Sequence, residues 1–248
     1  TRLEAVGAHR ALAIAEVARS PVYIVHLSAY DSLKELRDAQ ARGVMAHAET
    51  CPQYLLLDVD AYDQPGFDGA KYVLTPPLRE KWNQDELWRA LRGGELHVIS
   101  TDHCPFCCEQ KEPGGGDFRN IPNGIPTLEH RMELMYQGAV AEGRLSFNRW
   151  VDMCCRAPAK MFGLYPHKGT IAPGSDADIV LYDPDGSTTI SVDTHHMSMD
   201  YSAYEGITID GRVDTVMSKG RILISDDAYH GEKGHGVYLR RGLSTYLQ

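Results

Sequence analysis

Apolar side chains follow two different patterns along the first 165 residues. Residues 3–19 and 30–42 carry apolar positions at helical spacing, whereas residues 22–25 form an uninterrupted apolar run. Such a run is typical of a strand that is covered on both faces. Further strands are predicted at 44–48 and 96–100, and further helices at 84–92, 127–142 and 147–162. Repeated strand–helix units of this length predict a parallel sheet, either open or closed into a barrel.

The pattern changes after residue 163. Residues 168–178 are rich in turn-forming residues, a strand is predicted at 179–182, and a hairpin is predicted from 213–217 and 221–224. We therefore expect an α/β region over residues 1–165 and a small β module over 166–228. Residues 229–248 lack periodicity and are predicted to be an extended tail.

Composition narrows the classes of partner. The chain has 43% hydrophobic and 24% charged residues and a net charge of −9, without a basic stripe, which argues against a nucleic-acid binder. No stretch reaches the roughly 18 apolar residues of a membrane helix, so no membrane partner is expected. Six cysteines, four of them in adjacent pairs, suit reduced thiols and a cytoplasmic location.

Two residues follow predicted strands at the position where parallel barrels carry their chemistry. His26 comes directly after the run 22–25, and Asp102 follows the predicted strand 96–100. Groups at the carboxyl ends of barrel strands often bind metals or act in catalysis. Each also has a structural alternative, since His26 could cap its strand and Asp102 could cap the next turn. Two ligands are fewer than the three protein ligands of a typical catalytic zinc.

Other potential ligands are less clearly placed. His47, His97 and His103 lie within or beside predicted strands and stay open as ligands. The pair His195-His196 falls in the β module and is interpreted as structural. The cysteines at 104, 107 and 108 lack a second Cys or His pair at the spacing of a zinc finger.

Two loops have the composition of rigid backbone turns. Residues 72–79 contain adjacent prolines, and residues 120–126 contain Asn-Gly between two prolines. Proline fixes φ and imposes an extended path, and Asn-Gly favours a tight turn. Either loop could present backbone N–H or C=O groups to a planar polar ligand. Ordinary surface turns are the alternative.

Taken in order, these stretches resemble the C-terminal half of the hydantoinase/dihydropyrimidinase family of cyclic amidohydrolases. The resemblance covers almost the whole chain. It implies the C-terminal part of a (β/α)8 barrel, with strands six to eight, a small β-sandwich module, and a tail that makes oligomer contacts. The matching stretches are VYIVHLS (22–28), ETCPQYL (49–55), YVLTPPLR (72–79), STDHCPF (100–106), DFRNIPNG (117–124), KGTIAPGSDADI (168–179), THH (194–196) and YEG (204–206).

The resemblance also implies an enzyme mechanism. The family hydrolyses the C–N bond of hydantoin or dihydropyrimidine rings with two divalent metal ions, usually zinc, and a hydroxide that bridges them. Two of the family's metal ligands fall on His26 and Asp102 in this sequence, and Asp102 also takes the role of general base and acid. Its backbone contacts to the cyclic amide fall on Thr75 and Asn123.

One departure limits this interpretation. The family's His-x-His pair, its carboxylated lysine, a further histidine ligand and the tyrosine that supports the oxyanion all precede the region matched here, and the sequence contains no His-x-His. We therefore expect a missing N-terminal half, in cis or in trans, and no activity from this chain alone. A homodimer or homotetramer is expected of the whole enzyme. The alternatives are a non-catalytic structural relative and an allantoinase- or dihydroorotase-type enzyme.

Overall fold

The computed structural model describes residues 1–246. The chain divides into two compact units. The first comprises Thr1–Arg131 with Ile190–Gly206, and the second comprises Met132–Thr189 and the chain from Ile207 on. The segment 190–206 therefore belongs with the first unit, although it lies between two strands of the second. The boundaries predicted at residues 165 and 228 come from changes in the sequence pattern. As boundaries between folding domains they stay predictions.

A three-stranded parallel sheet is the centre of the first unit. Its strands lie in the order β1, β2, β3, and β1 pairs with β2 through Val22 opposite Ala46. β2 pairs with β3 through Glu49 opposite Val98. The predicted parallel sheet is confirmed, although β2 begins two residues later than expected. The strands are β1 (Val22–Ile24), β2 (Ala46–Thr50) and β3 (Val98–Ile99).

Five α-helices accompany these strands, and the three long ones match the predicted apolar periodicity. Leu12, Leu33, Leu36, Leu87 and Leu91 are almost fully buried, so each long helix covers core with one face. Gly94, with a φ of 78°, ends the fourth helix in a left-handed cap. The helices are α1 (Arg2–Ala18), α2 (Tyr30–Ala41), α3 (Pro52–Leu56), α4 (Trp82–Gly93) and α5 (Cys108–Lys111).

One edge of this unit exposes apolar surface. The expectation that residues 22–25 are covered on both faces is wrong for the described chain, because all three residues of β1 are only partly buried and Val25 is 48% exposed. Within residues 1–246 no strand pairs with the outer edge of β1. Helix α1 also exposes a row of apolar residues, namely Leu3, Val6, Ile14 and Val17.

The second unit contains an antiparallel sheet in the order β4, β5, β6, β7. The predicted hairpin is confirmed, and its turn contains Lys219 and Gly220. The tail beyond β7 has no helix or strand up to residue 246, and residues 247 and 248 lie outside the described range. The strands are β4 (Ile179–Thr189), β5 (Thr208–Ser218), β6 (Arg221–Ser225) and β7 (Ala228–Tyr229).

The two helices predicted at 127–142 and 147–162 are each interrupted. α6 (Arg131–Met135) continues as a π-helical segment over Tyr136–Ala141. α7 (Phe147–Val151) and α8 (Ala157–Met161) are separated by a second π segment over Asp152–Arg156. Pro158 has no backbone N–H to continue the ladder, which explains the break before α8. No helix among the described residues is both long and apolar enough to cross a membrane.

Candidate metal and substrate site

His26 and Asp102 lie at the same edge of the parallel sheet. His26 follows the carboxyl end of β1, and Asp102 follows the carboxyl end of β3. β2 lies between these two strands, so the strand ends are about 9–10 Å apart by the usual inter-strand spacing. Side chains from two such positions can converge on one ligand above the sheet edge. The two residues that the sequence singled out therefore lie at one edge of the sheet, separated by one strand.

Both residues have a backbone conformation that non-glycine residues rarely adopt. The φ angle is 40° at His26 and 47° at Asp102. Four further non-glycine residues within the described chain have a positive φ, and they lie in a helix cap (Arg19) or in hairpin turns (219, 226 and 227). His26 and Asp102 occupy neither kind of position. Such backbone strain costs about 1–3 kcal/mol and is often found at functional sites.

A buried carboxylate holds the ends of the strands together. Glu49, at 8% exposure, accepts hydrogen bonds from the hydroxyls of Tyr23 at 2.7 Å and Ser100 at 2.6 Å. It also accepts one from the backbone N–H of His26 at 3.4 Å. Burial and the nearby Glu49 charge raise the pKa of Tyr23, so its hydroxyl stays a donor. Glu49 therefore connects the segments that carry His26 and Asp102.

The segment around Asp102 is held by further bonds to its backbone. The carbonyl of Thr101 accepts hydrogen bonds from Gln53 Nε2 at 3.1 Å and from Thr127 Oγ1 at 2.7 Å. The Arg131 guanidinium donates to the carbonyl of Ile99 at 2.8 Å. These contacts surround the strained residue on its N-terminal side. They explain how the fold maintains the conformation of Asp102 despite its energetic cost.

The imidazole of His26 and the carboxylate of Asp102 are available to a ligand. Within residues 1–246 neither side chain makes a hydrogen bond or an ion pair, and both are partly exposed. An imidazole nitrogen and a carboxylate oxygen are suitable ligands for zinc and similar divalent cations. This donor set fits a metal ion but is incomplete for a catalytic site.

His47, His97 and His103 are engaged in the structure. Nδ1 of His103 accepts hydrogen bonds from the backbone N–H groups of Thr127 at 3.1 Å and Leu128 at 3.2 Å. Burial lowers the pKa of His103, in keeping with a neutral ring that accepts through Nδ1. The rings of His47 and His97 pack edge-to-face with centroids 4.8 Å apart.

In a second group of potential ligands, the sequence analysis missed Glu129 and His130 and interpreted His195 as structural. One ligand atom each from Glu129, His130 and His195 lies within 4.8 Å of the others. The Glu129 carboxylate already accepts hydrogen bonds from the backbone N–H groups of His196 and Met197 and from the His196 ring. Glu129 thus anchors the His195-His196 segment. The adjacent Glu129-His130 pair is the signal that could have revealed the group.

The first proline loop does not keep the extended path that was predicted, because the chain bends at Thr75 and Pro76. Leu74, Pro76 and Leu78 are buried, whereas Thr75 and Pro77 between them are exposed. The Tyr54 hydroxyl donates to the carbonyl of residue 76 at 3.0 Å, and the N–H of residue 78 donates to the Tyr62 hydroxyl at 2.8 Å. Thr75 is therefore presented outward from a fixed backbone.

The far end of this loop is tied to the first helix. The Arg79 guanidinium donates to the Ser28 hydroxyl at 3.0 Å and to the Glu4 carboxylate at 2.7 Å. Both charged side chains are only 15% exposed, and Ser28 also donates its backbone N–H to Glu4 at 2.9 Å. This network joins α1, the segment after His26 and the proline loop.

The second loop packs directly against the Asp102 segment. A Cβ added at Gly124 would lie 2.1 Å from the carbonyl oxygen of Cys104, and the φ of Gly124 is 149°. Only glycine suits this position. The N–H of Gly124 donates to the carbonyl of Val73 at 2.9 Å, which joins the two loops. Asn123, one residue earlier, is exposed.

Comparison with known proteins supports this picture. The chain matches the amidohydrolase family model over residues 5–223. It is similar to the D-hydantoinases of Streptomyces coelicolor, with 54% identity over 99% of this chain, and Rhizobium radiobacter, with 48% identity over 97%. The chain spans about half the length of these relatives, covering 52% of each.

Solved structures give the same result. The dihydropyrimidinase from Brevibacillus agri superposes with a TM-score of 0.95 at 46% identity, covering 97% of this chain and 52% of that one. The L-hydantoinase from Arthrobacter aurescens superposes with a TM-score of 0.88 at 32% identity, over 96% of this chain and 52% of that one. The resemblance inferred from the sequence motifs is confirmed.

Proposed function

The chain belongs to the amidohydrolase family, and on this premise we propose that it forms part of a metal-dependent enzyme that hydrolyses the C–N bond of hydantoin or dihydropyrimidine rings. The observation that carries the proposal is the pair His26 and Asp102. Both lie at one sheet edge with strained backbones, fixed surroundings and side chains open to a ligand. The names of its relatives, hydantoinases and dihydropyrimidinases, agree with this chemistry.

Each residue has a distinct role in the proposal. His26 and Asp102 would each hold one of two divalent metal ions, with zinc the first choice, and the ions when bound polarise the ring carbonyl and activate water. Asp102 accepts the proton of the attacking water and passes it to the leaving amide nitrogen. Backbone groups of Thr75 and Asn123 orient the cyclic amide, since both residues are exposed on fixed loops.

The site is incomplete in this chain. A catalytic zinc usually takes three protein ligands and a water, and this edge of the sheet offers two. The remaining ligands would come from a second half, in cis or in trans, because the relatives are about twice as long. That half would also cover the outer edge of β1 and the apolar row on α1, so that β1–β3 become strands six to eight of a barrel. The chain alone should be inactive.

A hybrid enzyme tests the proposal. In it, this chain replaces the matching half of the Streptomyces coelicolor D-hydantoinase, and ring opening is measured with hydantoin, dihydrouracil, allantoin and dihydroorotate. We expect hydrolysis of hydantoin or dihydrouracil by the hybrid and none by the isolated chain. A folded hybrid that opens no ring would favour the non-catalytic alternative. Preference for allantoin or dihydroorotate would assign a different cyclic amide.

A further inference from the structure

Lys111 is a buried lysine that the proposed mechanism does not use. It lies at the end of α5 and is only 1% exposed. Its ammonium donates to three backbone carbonyls, those of Val73 at 3.1 Å, Pro122 at 3.0 Å and Gly124 at 2.9 Å. Within residues 1–246 it forms no ion pair with a carboxylate. Three backbone carbonyls and the face of the Phe106 ring, whose centroid lies 5.9 Å from the ammonium, therefore compensate its burial.

The number of donors matches the number of acceptors. A protonated lysine has three N–H groups and no acceptor, so each of the three carbonyls receives one. Burial lowers the pKa of Lys111 to about 8, which still leaves the charged form dominant at neutral pH. Hydrogen bonds from a charged donor are about twice as strong as neutral ones. A buried ammonium of this kind fixes the relative positions of the backbone segments whose carbonyls it binds.

The three carbonyls belong to the two loops of the candidate substrate site. Val73 lies two residues before Thr75 in the first loop. Pro122 and Gly124 lie on either side of Asn123 in the second loop. Among the described residues, one direct backbone hydrogen bond also joins these two segments, from the Gly124 N–H to the Val73 carbonyl at 2.9 Å. The lysine thus accounts for most of the polar contact between them.

We propose that Lys111 is a positioning residue that holds the backbones of Thr75 and Asn123 in the relative arrangement needed to bind a cyclic amide. It acts through the two loops and does not touch the substrate itself. The inference rests on the proposed function, since it concerns the loops assigned there to substrate binding. Removing the ammonium would leave the carbonyls of Pro122 and Gly124 without their donor and the Val73 carbonyl with only the Gly124 N–H. The loops could then separate.

Kinetics of the hybrid enzyme test the proposal. Lys111→Met should raise KM for the ring substrate by about tenfold or more, because small misplacements of binding groups have large effects, while kcat per metal-loaded enzyme changes less. Lys71→Met is the matched control, since Lys71 is a neighbouring surface lysine paired with Asp68 at 2.8 Å. Lys111→Arg keeps the charge and the donors and should restore KM to within about threefold.

Hydrogen exchange of the hybrid gives a readout that does not require activity. Lys111→Met should speed amide exchange in residues 73–78 and 121–126, and Lys71→Met should not. If the hybrid opens no ring but this contrast persists, the proposed function fails and the positioning of the loops stands. Unchanged KM and exchange in Lys111→Met would overturn the inference. If Lys111→Met does not fold, Lys111→Arg takes its place in the test. A KM and an amide exchange in Lys111→Arg that differ from those of the parent no more than in Lys71→Met support the inference. Fast amide exchange of the two loops in Lys111→Arg overturns the inference.

Discussion

Two regions of the first unit contain residues of the types that bind metals, and they differ in what surrounds those residues. At the sheet edge, His26 and Asp102 have backbones held by buried hydrogen bonds, while their side chains make no contact of this kind within the described chain. In the other group, the Glu129 carboxylate accepts hydrogen bonds from the His196 ring and from two backbone N–H groups.

The difference shows that ligand type alone does not define a site. A carboxylate that anchors a loop already accepts several hydrogen bonds, and a metal ion would have to compete with those donors. At the sheet edge the fold instead uses other residues, chiefly Glu49 and Gln53, to fix the backbone. The ligand atoms remain available as a result. We therefore propose that the first region holds the metal ion and that the second has a structural role.

The largest contrast is expected in the rate of ring opening. In the hybrid enzyme, Asp102→Asn should lower kcat by about 10³-fold, because it removes a general base and a metal ligand together. Glu129→Gln should change kcat by less than about threefold, since it weakens only a loop anchor. Steady-state assays at matched metal content compare the two. A loss of activity in Glu129→Gln equal to that in Asp102→Asn would remove the distinction between the regions.

The next contrast concerns the packing of the second loop on the Asp102 segment. Gly124→Ala should destabilise the hybrid by about 3 kcal/mol, because the added Cβ meets the Cys104 carbonyl and the backbone is strained. Gly143→Ala is the control, since Gly143 has a φ of 67° but open space around it, and should cost about 1 kcal/mol. Urea unfolding measures both. Equal effects would show that the close approach to Cys104 is unimportant.

The smallest effect is expected from the loss of a single hydrogen bond to the backbone carbonyl that precedes Asp102. Thr127→Val removes the donor to the Thr101 carbonyl at 2.7 Å and should cost about 1 kcal/mol of stability, with a several-fold loss of kcat. Thr208→Val removes an exposed contact to Thr189 at 3.1 Å and should be nearly neutral. Denaturation and kinetics on the same preparations test this. A kcat unchanged in Thr127→Val would mean that the Asp102 backbone needs no such support.

Much of the architecture could be predicted because it depends on local patterns. The long helices follow apolar periodicity, the hairpin at Lys219-Gly220 follows turn composition, and the positions of His26 and Asp102 follow from the strand ends. These features need only a few neighbouring residues to be specified.

What could not be predicted depends on contacts between distant segments. Glu49 and Lys111 look like ordinary charged residues in the sequence, and only the fold shows that they are buried. The partners of Glu49 lie 23 residues or more away along the chain, and those of Lys111 lie up to 38 residues away. The exposure of β1 was missed because the apolar run 22–25 indicates only that the strand is suited to burial. The run does not show whether a neighbouring segment covers the strand. The break before α8 was missed because helical periodicity outweighed Pro158.

Metal content tests the central claim most directly. The hybrid enzyme is loaded with zinc, freed of excess ions and analysed by mass spectrometry of the metal, with His26→Ala compared against His195→Ala. The account predicts that the parent and His195→Ala retain equal amounts of zinc and that His26→Ala retains markedly less. Loss of zinc from His195→Ala, with the parent's amount retained by His26→Ala, would contradict it and move the metal site to the other region.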